Sequence, residues 1–403
     1  VRWIATTVCA AGGVALLVLA RALDAPWFER HMLLPWYYPW APAFLPGWFR
    51  LATAVAGAAL LAACWPLGKL AARATFAGCA RVAVAVVLAL GASELILRRA
   101  DRGTTAWRAP KLEFRIGRPD ARFGWVMLPS RATVLGPRER PVLYAVDGWG
   151  DRAASERTLP DPAAPSLVVS GESIAVGHGV AYEDTFPALM GKDLGLQVVN
   201  VACGGYGSDQ ALLRLDDALV RLQRPVAAVT TFVPVMLSRN LQDYRPRLAL
   251  RQGALTLVPP AEGLFGRLRV RDLLVNEMPY SGEQALRKSM RLTAEILRET
   301  ARSTRAHGAE PLFAIFSIGP QRAPDAHPEW WVVRELFVVQ GLPYALIDLD
   351  PSELLPGDGH PDPAAHRRIA TALEKALRGA APSSRSPCGG CRTSAPPAAA
   401  PLR

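Results

Sequence analysis

The run LVVSGESIAVGHG, Leu167–Gly179, decides how the rest of the chain is read. An apolar stretch meets Gly171, Glu172 and Ser173, and small residues and a histidine follow. A short unbroken apolar run suits a strand buried on both faces. The serine stands where that strand stops. Glycine two positions earlier lets the chain turn tightly and expose the hydroxyl. If a helix begins there, its free N–H groups stabilise nearby negative charge. Two readings stay open at this point: a simple helix cap, or a displayed nucleophile. Ala175 holds the last position of a G-x-S-x-G elbow, so that motif is not complete.

Working outward, strand-like and helix-like segments alternate from about residue 166. SLVVS, LQVVNVA, PVAAVTTFV, PLFAIFSI and YALIDL read as five strands. SDQALLRLDDALVRL has helical spacing, a long helix is expected from Glu283 to about His307, and a last one from Pro363 to about Leu377. This alternation implies an α/β domain, 166–379, with a parallel sheet covered by helices on both faces. Ligands in such sheets bind beyond the carboxyl ends of the strands. Residues 101–165 are turn-rich and strand-like, a β-rich connecting segment, and 380–403 is a Pro/Ala/Ser tail.

The first hundred residues differ. Trp3–Ala20 and Leu51–Gly68 carry no charge, and Val82–Leu97 carries only Glu94. Each approaches the ~20 residues a spanning helix needs, so 1–100 reads as a membrane anchor with about three transmembrane helices. Glu94 is expected to pair with Arg98 one turn on. The Trp- and Tyr-rich loop between the first two suits a bilayer interface. Arg2, Lys69, Arg73 and Arg81 favour a cytoplasmic N-terminus and second loop, which puts the larger domain on the periplasmic or extracellular side. Arg98, Arg99 and Arg102 on that outer side oppose this orientation. Abundant Ala, Arg, Gly and Pro with scarce Lys suggests a GC-rich genome, in which Val1 reads as a GTG start.

The formal charge is +11 over 403 residues, spread without a dense basic run, which argues against a nucleic-acid partner and for anionic lipid or acidic glycan. Of the six cysteines, Cys9, Cys64, Cys79 and Cys203 read as small buried apolar groups. Cys388 and Cys391 supply only two of the four ligands zinc takes, and no His/Asp cluster stands at ligand spacing, so neither metal nor cofactor is expected.

Two further segments join Ser173. NVACGGYGSDQ holds Gly204, Gly205 and Gly207, whose backbone could approach a substrate and donate to an oxyanion, or could be a flexible turn. PGDGHPDPAAHRRIA places Asp358 and His360 just before the last helix. A serine nucleophile needs a base, and the base an orienting carboxylate; Ser173, His360 and Asp358 provide all three. His178 is expected on the helix leading away from Ser173, His366 inside the last helix, and His307 and His327 in solvent.

These ordered blocks resemble the SGNH/GDSL hydrolase family in its membrane-anchored bacterial form, over roughly residues 94–379. Glu172 stands where that family usually has aspartate, Gly205 falls at its oxyanion glycine, and His360 at its catalytic base. FGWVMLPS and DGWGDR are similar to segments preceding the catalytic domain. The resemblance implies a flavodoxin-like three-layer α/β/α domain, with oxyanion donors from the Ser173 and Gly205 N–H groups. Two positions depart from the pattern. Val235 or Met236 occupies the place of a third-block asparagine, with Asn240 nearby, and Gly357 occupies the usual aspartate position, leaving Asp358 or a backbone carbonyl to serve His360. The function implied is an esterase of the bacterial cell membrane acting on an O-acyl group of a glycan or lipid through an acyl-enzyme. The alternatives are an O-acyltransferase for a surface polysaccharide, which would need a membrane partner, and a non-catalytic glycan-binding protein.

Overall fold

A computed structural model of the chain describes residues 2–24, 27, 45–73, 75–100, 116–136, 140–260, 268–269, 283–318 and 330–380. Most of the aromatic loop, His327, Cys388 and Cys391 lie outside the described residues, as does the side chain of Cys79.

Three helices open the chain: α1 (Arg2–Ala22), α2 (Leu45–Ala72) and α3 (Phe76–Ala100). All three are long and apolar enough to cross a membrane. α1 and α2 pack antiparallel at a distance only glycine permits. A Cβ on Gly13 would lie 2.9 Å from the Gly57 carbonyl oxygen, and one on Gly68 would lie 1.9 Å from Thr6 Oγ1. Such small-residue seams hold helices together where no water drives them. Val82, Val84, Val87 and Leu88 of α3 are all more than half exposed. Glu94 pairs with Arg98 at 2.6 Å, as the i,i+4 spacing foretells.

The larger domain is a mixed sheet covered by helices. All five expected strands form: β6 (Ser166–Ser170), β7 (Gln197–Asn200), β8 (Pro225–Phe232), β11 (Glu310–Ile318) and β12 (Tyr344–Leu349). They pair in parallel in the order β12-β11-β8-β6-β7. Numbered along the chain, that order is 2-1-3-4-5, with its reversal between β6 and β8. The sheet does not stop at β7. Strands β3 (Arg131–Leu135), β4 (Val142–Val146) and β5 (Arg152–Ala153), from the segment expected to be a connector, extend it antiparallel to eight strands. β1 (Gly117–Asp120) and β2 (Gly124–Met127) form a separate hairpin, as do β9 (Arg247–Arg251) and β10 (Ala254–Val258).

Seven further helices are described: α4 (Ser173–Val176), α5 (Phe186–Leu194), α6 (Ser208–Arg221), α7 (Met236–Arg239), α8 (Glu283–Ala306), α9 (Trp330–Val333) and α10 (Pro363–Ala380). Alternation along the strands splits the core. Leu167 and Val169 pack with Phe186 and Met190 of α5 and Ile369 and Leu373 of α10. Val168 and Ala228 face Leu215 and Leu219 of α6, and Phe313 and Ile315 face Leu297 and Ala301 of α8. Period 2 in the strands and period 3.6 in the helices thus yield two apolar layers around one sheet.

His366 is the buried histidine of the α5/α10 layer. Its Nδ1 accepts the Phe186 N–H at 3.2 Å, so the proton of the neutral ring is on Nε2. Burial first, and the charge of His360 second, push its pKa down to about 3 from 6.5. Between those values the unfolded chain holds a proton there that the folded chain refuses, so stability falls as pH falls. The expected slope from this one group is at most about 1.4 kcal/mol per pH unit. His366→Asn, whose Oδ1 can take the Phe186 N–H, should flatten that part of the curve of melting temperature against pH for the full chain in detergent. Equal slopes for the two proteins would contradict this account.

Candidate active site

The site is built at the reversal point of the sheet. β6 ends at Ser170 and Gly171 follows with φ 141°, where a Cβ would lie 1.8 Å from Thr231 Oγ1 on β8. Only glycine lets the chain cross this point. Glu172 is buried and caps the next turn, its Oε2 accepting the Ile174 N–H at 2.9 Å. The helix expected to lead away from Ser173 is a single turn. Gly177, at φ 76°, ends it, and His178 N–H returns to the Ser173 carbonyl at 3.0 Å.

The last loop meets this turn. Between β12 and α10, Leu355 N–H binds the His360 carbonyl at 2.7 Å, and Asp362 N–H binds that of Glu353 at 2.8 Å. Arg368 clamps Glu353 through Nε at 2.7 Å and Nη2 at 2.6 Å, which holds the Glu353 carboxyl below its usual range. A Cβ on Gly179 would sit 2.5 Å from Leu355 Cδ1, so the two loops touch.

Across that contact His360 Nε2 lies 2.8 Å from Ser173 Oγ. Asp358 Oδ1 accepts from His360 Nδ1, despite the one-residue spacing between them. The three residues proposed from sequence therefore stand in hydrogen-bonded series. Asp358, not a backbone carbonyl, serves the imidazole, and positive φ at Gly357 (71°) and Gly359 (80°) shapes the turn that lets it. The hydroxyl has a second acceptor, Glu172 Oε2, at 2.7 Å. One proton cannot serve both, so transfer to His360 requires the hydroxyl to turn from Glu172.

His178 comes to the site as well, against the expectation that a helix would carry it off. Its ring stacks on His360 with centroids 4.2 Å apart and planes 25° apart, and its Nε2 lies 3.4 Å from Asp358 Oδ2. These two imidazoles push the Asp358 carboxyl far below its usual range, His178 contributing most and His360 next, with burial opposing. Spacing along the chain showed no ligand cluster, yet among the described residues His178, Asp358 and His360 bring their ligand atoms within 4.8 Å of one another, close enough for a metal ion. The two imidazoles also pair with the carboxylate itself, His360 Nδ1 with Oδ1 and His178 Nε2 with Oδ2.

Gly205 sits in the loop after β7, which Cys203 N–H ties to the Gly171 carbonyl at 3.2 Å. Its φ is 74°. Among the described residues neither its N–H nor that of Ser173 donates a hydrogen bond, so both are free for a ligand. Asn240 is elsewhere. Its Nδ2 donates to Thr293 at 2.8 Å and its Oδ1 lies 3.4 Å from the Asp209 N–H, beside the buried Asp209–Arg245 ion pair. His307 is exposed and bonds the Ser303 carbonyl at 2.9 Å.

Two aromatic side chains from the N-terminal part of this domain brace the site. Tyr144 on β4 lies between the ends of the His178 segment, donating to the Gly177 carbonyl at 3.3 Å and accepting from Gly179 N–H at 2.5 Å. Trp125 on β2 donates Nε1–H to the Gly204 carbonyl at 3.1 Å, and its own carbonyl accepts from Tyr206 at 2.5 Å. A separate cavity of about 760 Å³ opens beside α8, lined by Leu255, Glu295, Arg298, Glu299, Arg302 and Leu342. Its arginines Arg298 and Arg302 are paired with Glu295 and Glu299, and no site residue lines it.

No family model matches the chain, and no curated protein does. Among solved structures, it is similar to a protein of the lipolytic G-D-S-L family from Desulfitobacterium hafniense, at 11% identity and TM-score 0.32, over 53% of this chain and 99% of that one. An acetyl xylan esterase from the rumen bacterium Butyrivibrio proteoclasticus is 13% identical with TM-score 0.33, over 55% and 65%. A family two carbohydrate esterase from Cellvibrio japonicus is 14% identical with TM-score 0.32, over 57% and 64%. Overlap at this level carries no argument about activity, and the chemistry rests on the side chains.

The placement of Asn240 has a direct test. Asn240→Ala leaves Thr293 and the Asp209 N–H without their buried partner, at a cost of about 1–3 kcal/mol. Its melting temperature should fall while the rate of Ser173 labelling by a fluorophosphonate, per folded molecule, stays that of the wild type. Loss of labelling without loss of stability would put Asn240 at the reacting centre.

Proposed function

We propose that the chain is a membrane-anchored serine ester hydrolase of the SGNH type, acting on an O-acyl group of a glycan or lipid. The observation that carries this reading is the series Asp358–His360–Ser173, drawn from two loops far apart in sequence and joined at 2.8 Å between Ser173 Oγ and His360 Nε2.

In the proposed mechanism Ser173 Oγ attacks the ester carbonyl carbon, and its proton passes to His360 Nε2. Asp358 stays ionised, and its Oδ1 holds the imidazolium through Nδ1–H. The N–H groups of Ser173 and Gly205 receive the oxyanion. The tetrahedral intermediate collapses, His360 protonates the departing alkoxide, and an acyl ester remains on Ser173. Water then attacks that ester with His360 as base, which restores the serine. Asn240 is committed to Thr293 and does not act as a side-chain oxyanion donor, and loss of one such donor is worth about 10²–10³ in rate.

The N-terminal region, 1–100, serves as the anchor in this reading. Arg2, Lys69, Arg73 and Arg81 favour the cytoplasmic side of a bacterial membrane, which leaves 101–379 outside, where acylated surface glycans and lipids lie. The site suits bulky substrates because Asp358, His178 and His360 each keep about a fifth to a quarter of their side-chain surface open to solvent.

Hydrolysis of 4-nitrophenyl acetate by the purified full chain tests the reading. Ser173→Ala and His360→Ala are each expected to reduce kcat/KM by about 10³-fold or more, and a loss below about tenfold would refute nucleophilic catalysis. Stoichiometric modification of Ser173 by a fluorophosphonate is the matching chemical signature.

A further inference from the structure

We propose that His178 is a positioning residue of this site, holding Asp358 in line with His360; the proposal rests on the ester-hydrolase reading above. The carboxylate of Asp358 has two oxygens and two imidazoles. Oδ1 takes His360 Nδ1, and Oδ2 faces His178 Nε2 at 3.4 Å. Among the described residues nothing else donates to that carboxylate.

The need for a second holder follows from the turn. Asp358 lies between Gly357 and Gly359, both at positive φ, with one residue between it and the histidine it serves. Glycine on both sides leaves the backbone free to change, and the side chain is a quarter exposed, so water competes for Oδ2. A single bond to His360 lets the carboxylate rotate about χ2. A second donor on Oδ2 removes that rotation and keeps Oδ1 on Nδ1.

His178 is suited to the task because it is itself fixed. Its N–H is bonded to the Ser173 carbonyl at 3.0 Å, so it moves with the nucleophile. Tyr144 binds the residues on either side of it, Gly177 and Gly179. The flat contact with His360 at 4.2 Å fixes the distance between the two nitrogens. With a proton on Nε2 the ring faces Oδ2 as a donor and orients the carboxylate. No proton leaves His178 in the reaction; the only transfers are between Ser173, His360, the alkoxide and water.

The test uses the full chain in detergent with 4-nitrophenyl acetate. Groups that orient metal-bound imidazoles contribute about 10–100-fold, and by that measure His178→Ala should lower kcat by about 10–100-fold with KM unchanged. His178→Gln, whose amide N–H can reach the position of Nε2, should recover to within about fivefold of the wild type. In an Asp358→Asn background, His178→Ala should cost less than about twofold more, because its route to the reaction is gone. A His178→Ala protein within about twofold of wild type, or one whose loss is undiminished in the Asp358→Asn background, would overturn the proposal. If Ser173→Ala proves harmless, the hydrolase reading fails by itself. The link is then read from the far-downfield NMR resonance of His360 Nδ1–H. It should persist in His178→Gln and vanish in His178→Ala, and its survival in both would overturn the link.

Discussion

The 2.8 Å contact between Ser173 and His360 joins positions 187 residues apart, and most of the domain is what makes that contact possible. A contact of such separation carries a large closure entropy, which one hydrogen bond worth about 1 kcal/mol cannot offset. The sheet offsets it. β6 and β12 run parallel in one sheet with β8 and β11 between them, so both strands finish on the same rim. The buried faces of Leu167, Val168, Val169, Phe313, Ala314 and Ile347 supply the free energy. The site then needs only short loops at the strand ends.

Much of this was legible in sequence because burial writes its own pattern. The five strands appear as apolar runs since each is covered on both faces, and the helix over 208–221 appears because only one side of it meets the sheet. Ser173, Asp358 and His360 stand out by their place at a strand end and before a helix, and the family resemblance singles out Gly205 from Gly204 and Gly207. What local pattern does not carry is which distant segments pair. The addition of β3–β5 to the sheet depends on a single register contact, Arg152 with Asn200, and on strands of two to five residues whose β character shows in sequence but whose partners do not. His178 was misread for a similar reason. Its helix was expected to continue, but Gly177 and Gly179 take positive φ and stop it after one turn. The paired glycines flanking that histidine were the available signal.

The strands added at the N-terminal side bear on the site as much as on the sheet. Tyr144 and Trp125 each end on a backbone group of a loop that carries a site residue, the first beside His178 and the second beside Gly205. Loops hold their geometry poorly when water can replace their hydrogen bonds, and both of these bonds are buried. Buried aromatic rings are large and have few rotamers, so they transmit the position of a strand to a loop with little slack. The segment that reads from sequence as a connector therefore acts as the brace for two of the three loops.

The electrostatics of the resting site oppose the proposed reaction as well as support it. Asp358 favours a charged His360, but Glu172, bonded to the Ser173 hydroxyl, favours a proton kept on the serine. That hydrogen bond must be given up before Oγ can pass its proton to Nε2. In the proposed reaction the rate depends on how far a bound substrate draws the hydroxyl off Glu172. That dependence rewards substrates with contacts beyond the ester itself, since their binding energy is what shifts the serine from its cap-side partner to its base.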